Sequence, residues 1–249
     1  MMILKDLLRV LDTIAPFDTS EEWDNVGLMV GDPDSEIRSI LVALDPSFEA
    51  IEAAIGSAVD LLLTHHPLMI QPVRRFDISE GASKKMAMLI RSGIDLVSMH
   101  TNLDKAPGGV ADELAACIGL KDVRSLGALR VGSITTPVPL ERWIRTLPLK
   151  DARVIDAGVP VHMVGACPGS GMDFWRLARQ EGCDTMVTGD VRYHAGIEAL
   201  DAGLNVVDLG HFGTEEIIVA PLADRLRQKL IGIDVCAYKA NDIFSLYHE

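Results

Sequence analysis

A chain of 249 residues with 48% hydrophobic but only 5% aromatic content is long enough for one large core or two modest ones, and fits a mixture of helices and strands. Its 36 acidic against 23 basic residues leave a formal charge of −13, and no Lys/Arg run exceeds two residues, which argues against a surface that tracks nucleic-acid phosphates. Cys117, Cys167, Cys183 and Cys236 stand far apart with no C-x-x-C pair, which argues against a zinc ribbon or redox dithiol and for reduced, mostly buried thiols.

Leu4, Leu7, Leu8, Leu11 and Ile14 recur at helical spacing, with Lys5, Asp6, Arg9 and Asp12 on the other face, so the chain opens on an amphipathic core helix. Acidic residues stand where a signal peptide needs an apolar core, and no later apolar run approaches the ~20 residues of a membrane span. A cytoplasmic protein without membrane association is expected. Ala15 to Pro33 reads as a polar connector containing Glu21-Glu22-Trp23-Asp24-Asn25-Val26-Gly27. A strand over 39–44 and a helix over 47–57 follow, then the buried strand 60–64, which stops in His65-His66-Pro67. Successive strand side chains point to opposite faces, so the two histidines reach one place only if the chain turns there, or two neighbouring places if a metal pair sits at the strand end. Residues 68–81 read as a loop, 83–92 as a helix and 94–99 as a buried strand, followed by His100-Thr-Asn-Leu-Asp104; Pro107-Gly-Gly109 then lets a helix start near Val110.

The pattern loosens over 119–127, which divides the chain into a first lobe, 1–125, and a second, 126–249, whose C-terminal strand could return to the first. In the second lobe strands are expected over 129–135, 153–156, 161–166, 185–188, 206–209 and 233–238, and helices over 140–147, 172–180 and 195–202. Pro221 makes 215–230 either a kinked helix or a loop and then a helix. The lobes echo one another: a strand ending in Thr64-His-His and a later His100-x-x-x-Asp104 in one, a strand ending in Thr188-Gly-Asp190 and a later His211-x-x-x-Glu215 in the other. Duplication and chance similarity of α/β units both account for this.

Three clusters thus stand at strand ends: His65-His66, His100 with Asp104, and His211 with Glu215. Singly each has a structural explanation, as hydrogen-bonded loop residues, helix caps or charge pairs. Ligands gather outside the carboxyl ends of strands in open α/β sheets, so three such clusters together point to a metal site. Histidine and carboxylate donors suit zinc, manganese, iron, nickel or cobalt, and bridging carboxylates can hold two ions. Asp45, after the 39–44 strand, either reaches the same edge or, as suits its position better, caps the next helix. Asp190 and His194 fit a cap or pairing role, and His194 also a general acid or base. Pro168-Gly-Ser-Gly171 either turns the chain or presents backbone donors to a phosphate. Trp23, Trp143 and Trp175 are expected as core or interface anchors rather than as a base-stacking platform.

The strings Trp23-Asp24-Asn25-Val26-Gly27-Leu28, His65-His66-Pro67-Leu68, His100 to Asp104, Thr188 to His194 and Gly210 to Glu215 resemble, in that order and over nearly the whole chain, the YbgI-like family. Its members are also called GTP cyclohydrolase I type 2 homologs or NGG-interacting-factor-three-like proteins. The resemblance implies an α/β fold of two lobes with mixed sheets flanked by helices, and a dinuclear metal centre in the cleft between them. It also implies a homohexamer ring. Carried over by motif, His65, His66, Asp104, His211 and Glu215 would ligate two divalent ions (Zn, Fe, Mn, Ni or Co), with His100 beside them. Where the family reads Thr-Gly-Glu, this chain has Thr188-Gly189-Asp190, one methylene shorter.

The expected activity is metal-dependent hydrolysis, of a nucleotide or pterin-like heterocycle as the family's name suggests or of a phosphoester, as two-metal sites often cleave, with His100 or His194 as the catalytic proton shuttle. The alternative is a non-catalytic metal-binding regulator or metallochaperone that works through protein partners.

Overall fold

The computed structural model describes residues 1–149 and 151–245; Lys150 and residues 246–249, which belong to the expected second lobe, lie outside the described residues. The chain divides into two compact units, one of Met1–Pro107 with Ile218–Asn241, the other of Gly108–Ile217 with the described residues from Asp242 on.

The first unit is built on five strands in the order Asp234–Ala237, Ser39–Ala43, Leu61–Thr64, Asp95–Ser98, Gly27–Val30. The first four run parallel and Gly27–Val30 runs antiparallel beside Asp95–Ser98. Every residue of Leu61–Thr64 and Asp95–Ser98 is buried, which is why neither strand shows the alternation of a half-exposed one. Helix Phe48–Gly56 packs Ala50, Ile51 and Ala54 into this core, and Ser47 caps it by accepting from the Ala50 N–H at 3.0 Å. The N-terminal helix Leu4–Ile14 forms as its spacing predicts and buries Leu4, Leu7, Leu11 and Ile14. Strand register brings two histidines together: Thr64 lies opposite Ser98, so His65 and His100, which follow, emerge at the same edge.

The second unit has six strands in the order Lys121–Leu126, Leu129–Val138, Val161–Ala166, Thr185–Thr188, Asn205–Asp208, Arg153–Ile155, with the three central ones parallel and the rest antiparallel. Alternation divides its core in two: Val187 and Val207 pack with Leu114 and Trp143 on one face, Met186 and Val206 with Met172 and Trp175 on the other. Trp143 and Trp175 are therefore core residues, whereas Trp23 is exposed.

Two strands of these two sheets escape the sequence pattern for the same reason. Gly27–Val30 lies in the expected polar connector, and Lys121–Leu126 forms a hairpin with Leu129–Val138, so the expected lobe boundary at 125/126 falls inside that hairpin. Both are edge strands, only partly buried or exposed, and an edge needs no continuous apolar run. Pro221 sits in the first turn of helix Val219–Lys229, where its missing N–H costs nothing; the short helix His211–Glu215 and a 3₁₀ turn over Glu216–Ile218 precede it.

No helix among the described residues is long and apolar enough to cross a membrane. The Cys183 thiol is fully buried, and that burial, reinforced by the charges of Asp184 and Glu181, pushes its pKa up to about 12. Iodoacetamide at pH 8 should therefore modify the exposed Cys236 in the native protein and Cys183 only after unfolding, which peptide mapping checks; early labelling of Cys183 would contradict this burial.

Candidate metal centre

In the first unit the Leu61–Thr64 ladder continues for two residues, with His65 N–H donating to Ala43 O (3.2 Å) and His66 N–H to Leu44 O (2.9 Å). The chain then turns, held by the Thr64 hydroxyl, which donates to His66 O at 2.7 Å and lies 3.0 Å from the Ser98 hydroxyl. This turn lets two consecutive histidines approach one place: their ring centroids are 4.9 Å apart, and His100 comes within 5.2 Å of His65 and 5.5 Å of His66. Each of the three offers a nitrogen within 4.8 Å of the others. The short helix Thr101–Lys105 adds Asp104, whose Oδ1 lies 3.6 Å from His65 Nε2.

The orientation of these rings is set by their other nitrogen. His65 Nδ1 meets Met99 O at 2.9 Å, His66 Nδ1 meets Asp45 Oδ1 at 2.7 Å, and His100 Nδ1 meets Asp24 Oδ1 at 2.8 Å. Carbonyl and carboxylate oxygens only accept, so in each case Nδ1 carries the hydrogen and, in the neutral ring, Nε2 presents the lone pair. Asp45 thus holds the His66 ring, and the helix cap expected of it falls to Ser47. The Asp24 side chain is buried; burial by itself pushes its carboxyl up, but hydrogen bonds from His100 and Thr101 hold it well below the usual carboxylate range.

The second unit repeats the device. His211 begins the helix His211–Glu215, and spacing of four brings His211 Nε2 to 3.0 Å from the buried Glu215 Oε2. His211 Nδ1 meets Asp190 Oδ2 at 2.7 Å. The shorter acid therefore reaches the histidine, from a backbone at φ +52° that favours glycine, asparagine and aspartate. Gly169, at φ +57°, lies against the same pair: a Cβ there would overlap Glu215 Oε1 and come within 3.3 Å of His211 Nε2. In the Pro168–Gly171 loop two donors are already used, Gly169 N–H on the Thr214 hydroxyl and Gly171 N–H on the Thr188 hydroxyl, both at 2.9 Å, which holds the loop against the carboxylate. His194 lies exposed on helix Tyr193–Asp201 with its ring against Tyr193.

The donor set passes the test for a metal. Two ligands about 2.0–2.1 Å from a tetrahedral ion stand about 3.3 Å apart, and the within-unit pairs, at 3.6 and 3.0 Å, bracket that separation. A histidine held at Nδ1 by a carboxylate or carbonyl is the usual arrangement behind a metal-ligating Nε2.

Comparison with known proteins adds to this geometry. Residues 2–242 match the Duf34/NIF3 (NGG1p interacting factor 3) family. The chain belongs to that family. Among Duf34/NIF3 relatives, a "GTP cyclohydrolase 1 type 2 homolog" of Clostridium perfringens is 32% identical, covering 92% of this chain and 93% of its own. Staphylococcus aureus SA1388 superposes with a TM-score of 0.91 at 26% identity, over 99% of both chains. Reduced HcgD of Methanocaldococcus jannaschii does so with a TM-score of 0.83 at 32% identity, over 95% of this chain and 97% of that one.

Sequence reasoning singled out the residues that present Nε2 or a carboxylate, but not Asp24 or Gly169. Their signals were present, Asp24 in the Trp23–Leu28 string and Gly169 before a helix, yet neither pattern distinguishes a site from a turn. Asp190→Ala should weaken metal binding 10- to 100-fold by freeing the His211 ring, whereas Asp190→Asn, which tolerates the same backbone and still accepts from Nδ1, should cost less. Competition against a chromogenic chelator measures both; equal effects of the two would contradict an orienting role.

Proposed function

We propose that this chain is a metal-dependent hydrolase with a dinuclear centre, in which His65, His66, Asp104, His211 and Glu215 together hold two divalent ions, zinc, iron, manganese, nickel or cobalt. The observation that carries this reading is the Nδ1 partner behind His65, His66, His100 and His211, three of them carboxylates, which leaves four Nε2 atoms in position to ligate or exchange a proton. Bound ions of this kind supply Lewis acidity and a nucleophile drawn from water near neutral pH. His100, held through Nδ1 by Asp24, is the group that passes a proton to the leaving group from Nε2, and His194 is the second candidate for that step. The relatives' name carries a nucleotide or pterin-like heterocycle to this chain as the substrate class, with a phosphoester as the other option. Assembly as a homohexamer ring and a cytoplasmic location belong to the same proposal, and light scattering tests the assembly.

The decisive experiment compares chelator-stripped and metal-reconstituted protein on GTP, a pterin and a phosphodiester. Turnover should require metal and fall about 100-fold in His100→Gln. Full metal loading with no turnover on any of the three would remove the hydrolase claim and favour the non-catalytic regulator or metallochaperone.

A further inference from the structure

We propose that Trp23 is a stacking platform for a planar heteroaromatic ring of the ligand; the proposal rests on the reading of His65, His66 and His100 as part of a metal centre, and within it selects a heterocycle over a simple phosphoester. Trp23 is 57% exposed, whereas Trp143 and Trp175 are 5% and 8% exposed. Single exposed hydrophobic residues are common on proteins and need no explanation. Trp23 differs in two respects.

The first is its neighbour. Its ring centroid stands 5.9 Å from that of His100, at an interplanar angle of 78°, so the indole borders the histidine cluster while much of its surface faces solvent. The second is its immobilisation. The Glu21 N–H donates to the Thr101 hydroxyl at 2.9 Å and its carboxylate pairs with Lys105. Asp24 accepts from the Thr101 N–H and hydroxyl and meets His100 Nδ1. Asn25 donates to Met69 O at 2.7 Å. Residues on both sides of Trp23 are thus tied to the segment that carries His100. An exposed indole on a backbone held in this way, with its ring against His100, forgoes burial of a large apolar surface, and a flat ring that covers it need order only the side chain, which favours stacking. Every nucleobase and pterin presents such a face, and a bare phosphoester does not.

The test uses manganese-reconstituted protein titrated calorimetrically with GTP and with inorganic tripolyphosphate, which carries the same phosphates without the ring. GTP should bind about tenfold more tightly than tripolyphosphate, an advantage lost in Trp23→Ala and mostly kept in Trp23→Phe, with metal content unchanged in both variants. GTP should also quench the emission of the parent and leave that of Trp23→Phe, where only the buried Trp143 and Trp175 emit, almost unaltered. No advantage of GTP in the parent, or an advantage that survives Trp23→Ala, overturns the stacking role. A parent that takes up no metal fails at an earlier and separately measured step, and overturns the metal reading and this proposal together.

Discussion

Replacing His66 and Asp104 together with alanine is expected to abolish transition-metal retention. Elemental analysis of tag-free parent should find about two equivalents per chain, as a two-metal site requires, and the variant should retain almost none. The two residues reach the site by independent routes, His66 by the turn after Leu61–Thr64 and Asp104 from the short helix Thr101–Lys105, so no single local rearrangement compensates for both losses. Circular dichroism should show the same secondary structure in parent and variant, because the substitutions leave the backbone hydrogen bonds of His66 and of the helix Thr101–Lys105 in place. Two equivalents in the variant would overturn the ligand assignment, as would a parent that binds none after reconstitution.

Gly169→Ala is expected to be almost as damaging to metal binding, although Gly169 offers no ligand. An alanine Cβ would enter the space of Glu215 Oε1 and crowd His211 Nε2, and φ +57° adds about 1–2 kcal/mol of backbone strain. The cheaper response is movement of the Glu215 carboxylate, so affinity should fall about 100-fold while the protein still folds. Gly213→Ala is the control: a Cβ there meets nothing within 4 Å and its φ is not positive. Equal affinities of the two variants, measured by chelator competition, would show that the close approach of Gly169 does not govern Glu215.

Much of this arrangement was legible in the linear sequence. The apolar centres of Leu61–Thr64, Asp95–Ser98 and Thr185–Thr188, with no exposed polar residue alternating through them, report complete burial, and a strand buried on both faces has little alternative but a central parallel position. The histidines and acids after those runs are legible because a polar residue abruptly following a buried strand must stand at the sheet's edge. Edge strands such as Gly27–Val30 and Lys121–Leu126 were not legible, since half-exposed backbone imposes no apolar pattern.

By itself, then, the sequence determined the alternation of strands and helices, the family, and which residues end the central strands. Only tertiary structure decided what stands behind them. Asp24 is 76 residues from His100, and Asp45 and Asp190 are each 21 residues from the histidine they hold. Gly169 lies against Glu215 solely because its loop and the His211–Glu215 helix leave the sheet at the same edge. Local propensity is a property of neighbours along the chain, whereas the orientation of an imidazole depends on whatever acceptor the register of a parallel sheet brings beside it.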